Sequence, residues 1–228
     1  MMRRLFNGEL PAAVMFDLDG TLVDSVPDLA WAIDSMLRRM GHEPVGETAV
    51  RQWVGNGAQM LVRRALVRHL NVENVQINPA IFEQAYQCFL DYYGRQTADR
   101  SELYLGVREY LEGLKALSVP MAVVTNKPMQ FTTPMLEAFQ IDGYFDCVLG
   151  GDSLAVKKPD PAPLLHAMEV LGSTPETTLM VGDSVNDLKA ARAAGCPVVC
   201  VPYGYNHGAQ IADSRPDLMV ERLDNLLD

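Results

Sequence analysis

Five short apolar runs set the frame of this chain: residues 12–18, 121–125, 145–149, 178–181 and 197–201. Each has the length of a strand and stays apolar instead of alternating with polar residues, the pattern of a strand buried on both faces. Amphipathic stretches of helical length follow one another between and beside the later runs, at 107–117, 128–139, 161–171 and 186–194. Buried strands alternating with helices predict an α/β chain whose core is a doubly wound, Rossmann-like parallel sheet covered on both sides.

Residues 25–100 break that rhythm. They contain no comparable β-branched run and are expected to form four helices, at 27–39 with Ser25 as N-cap, 47–53, 57–70 and 79–94. Such a block is too long for a simple crossover between two strands. It is expected to be an inserted α-helical cap domain, 25–100, leaving 1–24 and 101–228 as the catalytic core.

Hydrophobic residues make up 48% of the chain and charged residues 21%, enough apolar material for a folded core. The 29 acidic against 19 basic residues give a net charge of −10, which argues against general nucleic-acid binding. A small anionic ligand stays open, provided a local cation offsets the global sign. Cys88, Cys147, Cys196 and Cys200 form no C-x-x-C pair and are expected as free thiols. The opening M-M-R-R-L-F-N-G-E-L-P has no apolar stretch of secretory length, and no run approaches the roughly 18 apolar residues of a membrane span. These features predict a cytoplasmic protein with no membrane partner, a monomer or homodimer. His42, His69, His166 and His207 fall in no metal-ligand spacing.

The first apolar run ends in D-L-D-G-T, residues 17–21. Residues two apart on extended backbone point to the same side, so Asp17 and Asp19 are expected to share a face. Gly20 lets the chain turn, and Thr21 is expected to bond back and hold that turn. Three further strand exits carry Thr125-Asn126-Lys127, Lys157-Lys158-Pro159 and Gly182-Asp183-Ser184-Val185-Asn186-Asp187. Taken singly, each has a plain structural explanation: an Asp-rich turn, a helix cap at Thr125 or Ser184, a solvated turn at the lysines, a first-turn charge at Asp187. Taken together, a hydroxyl, a lysine and two acidic pairs converge on the carboxyl ends of the strands, where open α/β sheets bind ligands.

These four segments resemble the four motifs of the haloacid dehalogenase-like hydrolases, and the helical block after the first resembles that superfamily's helical-cap group. The resemblance implies a phosphomonoester hydrolase. A phosphate monoester dianion repels anionic attackers, so its hydrolysis needs charge neutralisation and a positioned nucleophile. Asp17 is the candidate nucleophile, forming an aspartyl phosphate, and Asp19 the candidate general acid and base. Mg²⁺ is the expected cofactor, held by Asp17, Asp183 and the Asp19 backbone carbonyl, with Asp187 contributing through water. Lys158, which directly precedes Pro159 as in the family motif, is the expected counterion. Thr125 and the amides of Leu18, Asp19 and Asn126 complete the expected phosphate cradle.

V-D-S-V-P-D-L, V-G-N-G, V-K-K-P-D-P and Tyr203-Gly204-Tyr205-Asn206 narrow the resemblance to bacterial phosphoglycolate phosphatases. This implies a small phosphorylated metabolite as substrate, 2-phosphoglycolate going to glycolate and phosphate. In the cap, Arg51, Gly55 and Asn56 are candidate substrate contacts, with Arg51 expected to reach a carboxylate. A phosphatase of sugar or amino-sugar phosphates and a phosphosugar mutase are the alternatives within the superfamily. A phospho-accepting receiver module is the alternative of a different class, and its lack of a long helical insertion speaks against it.

Overall fold

The computed structural model describes residues 1–70, 77–206 and 208–228, so His207 lies outside the described residues. The chain runs β1 (Ala13–Phe16), β2 (Val23–Asp24), α1 (Val26–Arg39), α2 (Gly46–Arg51), α3 (Ala58–Leu70), α4 (Pro79–Arg95), β3 (Glu102–Leu103), α5 (Val107–Ala116), β4 (Met121–Val124), α6 (Met129–Ala138), β5 (Cys147–Leu149), α7 (Ala162–Leu171), β6 (Thr178–Gly182), α8 (Val185–Ala194), β7 (Val198–Cys200) and β8 (Leu218–Met219). All five expected strands form. β2, β3 and β8 are additional, each two residues long and too short to leave a periodic signal.

Six strands pair in the order β5-β4-β1-β6-β7-β8, every neighbour parallel. Alternation within the strands sorts their side chains into two layers. Val14, Phe16, Met121, Val123, Leu179 and Val181 face the cluster that includes Val107, Leu111 and Leu114 of α5. Met15, Ala122, Val124 and Met180 face α7 and α8 through Leu164, Met168, Leu188 and Ala191. Both faces are therefore covered, which is why the strands read as continuous apolar runs.

The register is what builds a site. Phe16 lies opposite Val123 on one side and Val181 on the other. The chain thus leaves β1, β4 and β6 at nearly one level, bringing the segments at Asp17, Thr125 and Asp183 to the same edge.

Helices α1 to α4 pack around their own apolar cluster, including Leu29, Ile33, Leu37, Leu66 and Phe89, closed from below by Phe131 and Tyr205. The chain enters and leaves this bundle through an antiparallel ribbon, with Val23 opposite Leu103 and Asp24 opposite Glu102. Ser25 does not cap α1: its backbone is already helical and its side chain makes no capping bond, so the hydroxyl is badly placed to reach the first-turn amides.

Asp28 binds the two chain crossings together. It is fully buried and accepts from the Arg100 amide at 3.0 and 3.1 Å, the Ser101 amide at 2.9 Å and the Ser101 hydroxyl at 2.5 Å. Asp28→Ala strands these donors away from water and is expected to cost about 3 kcal/mol. Denaturant unfolding checks it: the midpoint should fall with the slope unchanged, and a shift within error would show that the staple is dispensable.

Candidate active site

Asp17 follows β1 directly. Its Oδ1 accepts from the Leu18 amide at 2.8 Å and pairs with Lys158 Nζ at 3.0 Å. The Leu18 amide, expected in a phosphate cradle, is therefore engaged by the Asp17 carboxylate. Lys158 is 2% exposed and also meets Asp187 Oδ1 at 2.6 Å. Lys157 turns outward and donates to the Asn56 carbonyl. Of the two lysines, Lys158 is the one brought to the acidic group.

Asp183 follows β6 and lies against the turn after β1. Its Oδ1 accepts from the Thr21 hydroxyl at 2.9 Å and its Oδ2 from the Tyr205 amide at 2.5 Å. The Thr21 hydroxyl therefore holds Asp183, while its amide bonds back to the Leu18 carbonyl at 3.3 Å and holds the turn. Gly20 has φ +90°, and a Cβ there would lie 2.4 Å from Asp183 Oδ2. A Cβ on Gly204 would meet the Asp183 Cβ at 2.2 Å. Both glycines are required by the close approach to this carboxylate.

Asp187 serves its helix and the site together. Its Oδ2 accepts from the amide and hydroxyl of Ser184, at 3.0 and 2.7 Å, closing the N-terminus of α8, while Oδ1 holds Lys158.

Asp17, Asp183 and Asp187 each offer a carboxylate oxygen within 4.8 Å of the others, and all three are buried. Burial, offset in part by Lys158 and reinforced by Asp187, pushes the Asp17 carboxyl up to about 6. Burial followed by repulsion from Asp187 and Asp17 holds Asp183 well above the ordinary carboxylate range. Burial opposes the Lys158 charge, but Asp17 and Asp187 outweigh it and raise its pKa. One ammonium against three buried carboxylates leaves uncompensated negative charge. The donor set, all carboxylate oxygen, fits a hard divalent cation.

Asp19 faces a second lysine. Lys127 Nζ lies 2.9 and 3.3 Å from the two Asp19 oxygens and donates to the Tyr93 hydroxyl at 2.5 Å. Its side chain is 3% exposed. Burial works against its charge, yet Asp19 and Tyr93 more than compensate and lift its pKa above the ordinary lysine range. No role for Lys127 or Tyr93 is expected from the sequence. The T-N-K exit of β4 is a signal for Lys127; Tyr93, one aromatic among several in α4, has none.

Thr125 is buried and accepts at Oγ1 from the Lys127 amide at 3.2 Å, leaving its hydroxyl proton free to donate. Asn126 joins the strand ends to the helical bundle: its Nδ2 donates to the carbonyls of Gly55 at 3.1 Å and Lys158 at 2.9 Å. The Gly55 carbonyl also accepts from Asn186 Nδ2 at 3.1 Å. Asn56 Oδ1 takes a bond from Arg64 Nη2 at 2.6 Å. Gly55 and Asn56 thus lie on the seam where the helical bundle meets the strand ends.

A cavity of about 40 Å³ remains under that seam, with Asp17, Asp19, Thr125, Asn126 and Lys127 on the core side. Leu29, Val54, Leu61, Phe89 and Tyr93 roof it. This volume holds a few waters. Arg51 is not brought to it. Its guanidinium pairs with Asp24 at 3.1 Å and lies over the Tyr205 ring, and Arg51 is not among the residues lining the cavity. The competing carboxylate was too far away in sequence for local reasoning to see.

The chain matches the haloacid dehalogenase-like hydrolase family over residues 14–201 and belongs to it. It is 49% identical over 224 residues to the phosphoglycolate phosphatase of Pseudomonas putida, covering 98% of this chain and 81% of that protein. It is equally 49% identical over 213 residues to the phosphoglycolate phosphatase of Nitrosococcus oceani, covering 93% of each. The crystal structure of a predicted phosphoglycolate phosphatase from Haemophilus somnus 129PT superposes with a TM-score of 0.90 at 42% identity, covering 95% of this chain and 96% of that one. No described helix is long and apolar enough to cross a membrane.

Proposed function

We propose that this chain hydrolyses 2-phosphoglycolate to glycolate and inorganic phosphate through an aspartyl phosphate on Asp17, with 25–100 acting as a cap over the strand ends. The observation that carries the reading is the buried pairing of each candidate catalytic carboxylate with its own lysine, Asp17 with Lys158 and Asp19 with Lys127. The small, mostly apolar roof favours a two-carbon phosphate over a sugar phosphate. The names of the relatives agree with that substrate.

Lys158 keeps Asp17 ionised and in place. The Asp17 carboxylate attacks phosphorus, and the bond to the glycolate oxygen breaks as Asp19, which takes up a proton from solvent when substrate binds, passes that proton to the oxygen. Asp19 is then a carboxylate, able to take a proton from the water that cleaves the acyl phosphate. That second step frees Asp17 and inorganic phosphate and returns the proton to Asp19. The Thr125 hydroxyl and Lys158 bind phosphoryl oxygens throughout. Mg²⁺ is the cation proposed for Asp17, Asp183 and the Asp19 carbonyl, with Asp187 behind it; when bound it would neutralise charge on the phosphoryl group. The apolar roof excludes water once the cap is closed, and the cap must move to admit substrate. The free, buried or half-buried cysteines suit a reducing cytoplasm.

The test is kcat/KM for 2-phosphoglycolate against hexose and amino-sugar phosphates, with Mg²⁺ and with EDTA. Phosphoglycolate should lead by about tenfold or more, and EDTA should abolish turnover. A hexose phosphate preferred by that margin would overturn the substrate, and full activity in EDTA would overturn the metal.

A further inference from the structure

Lys127 is the cation among the described residues that line the cavity. Lys158 reaches Asp17 and Asp187, and Arg51 is held outside by Asp24. The cavity's other charged groups are Asp17 and Asp19, both acidic, and its roof is apolar. A substrate that carries a second anionic group beyond its phosphate must bury that group here. An ionised carboxylate surrounded by aspartates and hydrocarbon is strongly disfavoured unless a cation meets it.

An ammonium has three donors. Lys127 directs its charge to Asp19 and one bond to the Tyr93 hydroxyl, and it sits 4.8 Å from the centre of the Tyr93 ring. Its third contact is the longer one to Asp19, at 3.3 Å, and this is the bond a second carboxylate on the cavity side would replace. Tyr93 belongs to α4, so the contact that steadies the ammonium is made by the cap. Tyr93 is itself fixed by rings, stacked on Phe89 at 5.6 Å and edge-on to Phe131 at 4.8 Å.

We infer that Lys127, oriented by Tyr93, is the specificity-determining counterion for the carboxylate of the substrate, so that this site selects phosphorylated acids over phosphorylated neutral alcohols. This rests on the phosphoglycolate reading above and assigns to Lys127 the contact that the sequence suggested for Arg51. The phosphoryl group sits over Asp17 while the carboxylate, one methylene beyond the ester oxygen, lies under the roof beside Lys127. Docking of α4 completes the carboxylate pocket, so a substrate without the acid gains less from a closed cap.

The experiment compares 2-phosphoglycolate with ethyl phosphate, which lacks the carboxylate but keeps the two carbons. Both are assayed with the wild-type chain, Lys127→Met and Tyr93→Phe, with folding checked by circular dichroism and thermal melting. The wild type should prefer phosphoglycolate, and Lys127→Met should cut that preference by about tenfold or more, over and above any fall in kcat that both substrates share from the lost Asp19 pairing. Tyr93→Phe keeps the ring cluster and should lower the preference by about threefold. If both substrates lose equally in Lys127→Met, the lysine serves only to position Asp19 and the inference falls. If Lys127→Met is too unstable to assay, an unchanged preference in Tyr93→Phe overturns it. A wild type indifferent to the carboxylate would instead sink the phosphoglycolate reading, and this inference with it.

Discussion

Asp17→Asn is expected to lower kcat by about 10⁴-fold or more, because a neutral amide does not attack phosphorus. The substitution is close to isosteric. Its retained oxygen can still accept from the Leu18 amide and from Lys158, the two bonds that Asp17 Oδ1 makes now. Lys158 keeps Asp187 as well. A loss of turnover would therefore report on chemistry and not on a collapsed site. Rapid acid quenching of the wild type during turnover of labelled substrate should leave phosphate on the peptide that contains Asp17. Residual kcat within tenfold of wild type, or label recovered elsewhere, would remove Asp17 from the nucleophile's role.

The same variant carries the second large effect, on stability without metal. Asp17 titrates near 6 in the folded chain against an ordinary value of 3.8, chiefly because burial disfavours its charge. Below about pH 4 the group is protonated in both folded and unfolded chains and contributes nothing. Between 4 and 6 the folded chain holds the proton more tightly, so stability falls as pH rises. Above 6 both forms are ionised and the whole cost is present, about 3 kcal/mol for a shift of this size. In EDTA, Asp17→Asn should thus melt higher than wild type at pH 8 and lose that advantage by pH 4. A cation that fits the acidic group should raise the wild type's melting temperature at pH 8 much more than the variant's. Equal melting of the two chains at pH 8 in EDTA would show that the crowding at Asp17 is relieved by other means.

These effects arise from residues that the sequence makes conspicuous. Asp17 and Asp183 stand directly past apolar runs and Lys158 follows the loop after a third, and the runs are legible because a strand buried on both faces has no polar positions to break them. The four helices between residues 25 and 100 were equally legible, because no strand-like apolar run interrupts that block. What escaped were contacts with no local pattern. The ribbon of β2 and β3 is two residues on each side, and Asp28 gives no sign in sequence that its partners are Arg100 and Ser101. The Thr21 amide closes its own turn as its sequence context suggests, yet the Asp183 carboxylate takes its hydroxyl from 162 residues away.

Charge pairing shows the division most clearly. From its sequence alone this chain declares a doubly wound core, a helical insertion and the types of residue at each strand exit, since these follow from short-range periodicity and from motifs a few residues long. The choice of partners was made by the fold. The register of β1 against β4 and β6 brings the exits to one level, and the docking of α4 carries Tyr93 to Lys127. Hence Lys127 faces Asp19 across 108 positions of sequence, while Arg51, the more suggestive cation on paper, is neutralised by Asp24 outside the cavity. An ion pair depends on distance in space and on the burial around it, and neither quantity exists until the sheet is paired and the helical bundle is seated on it.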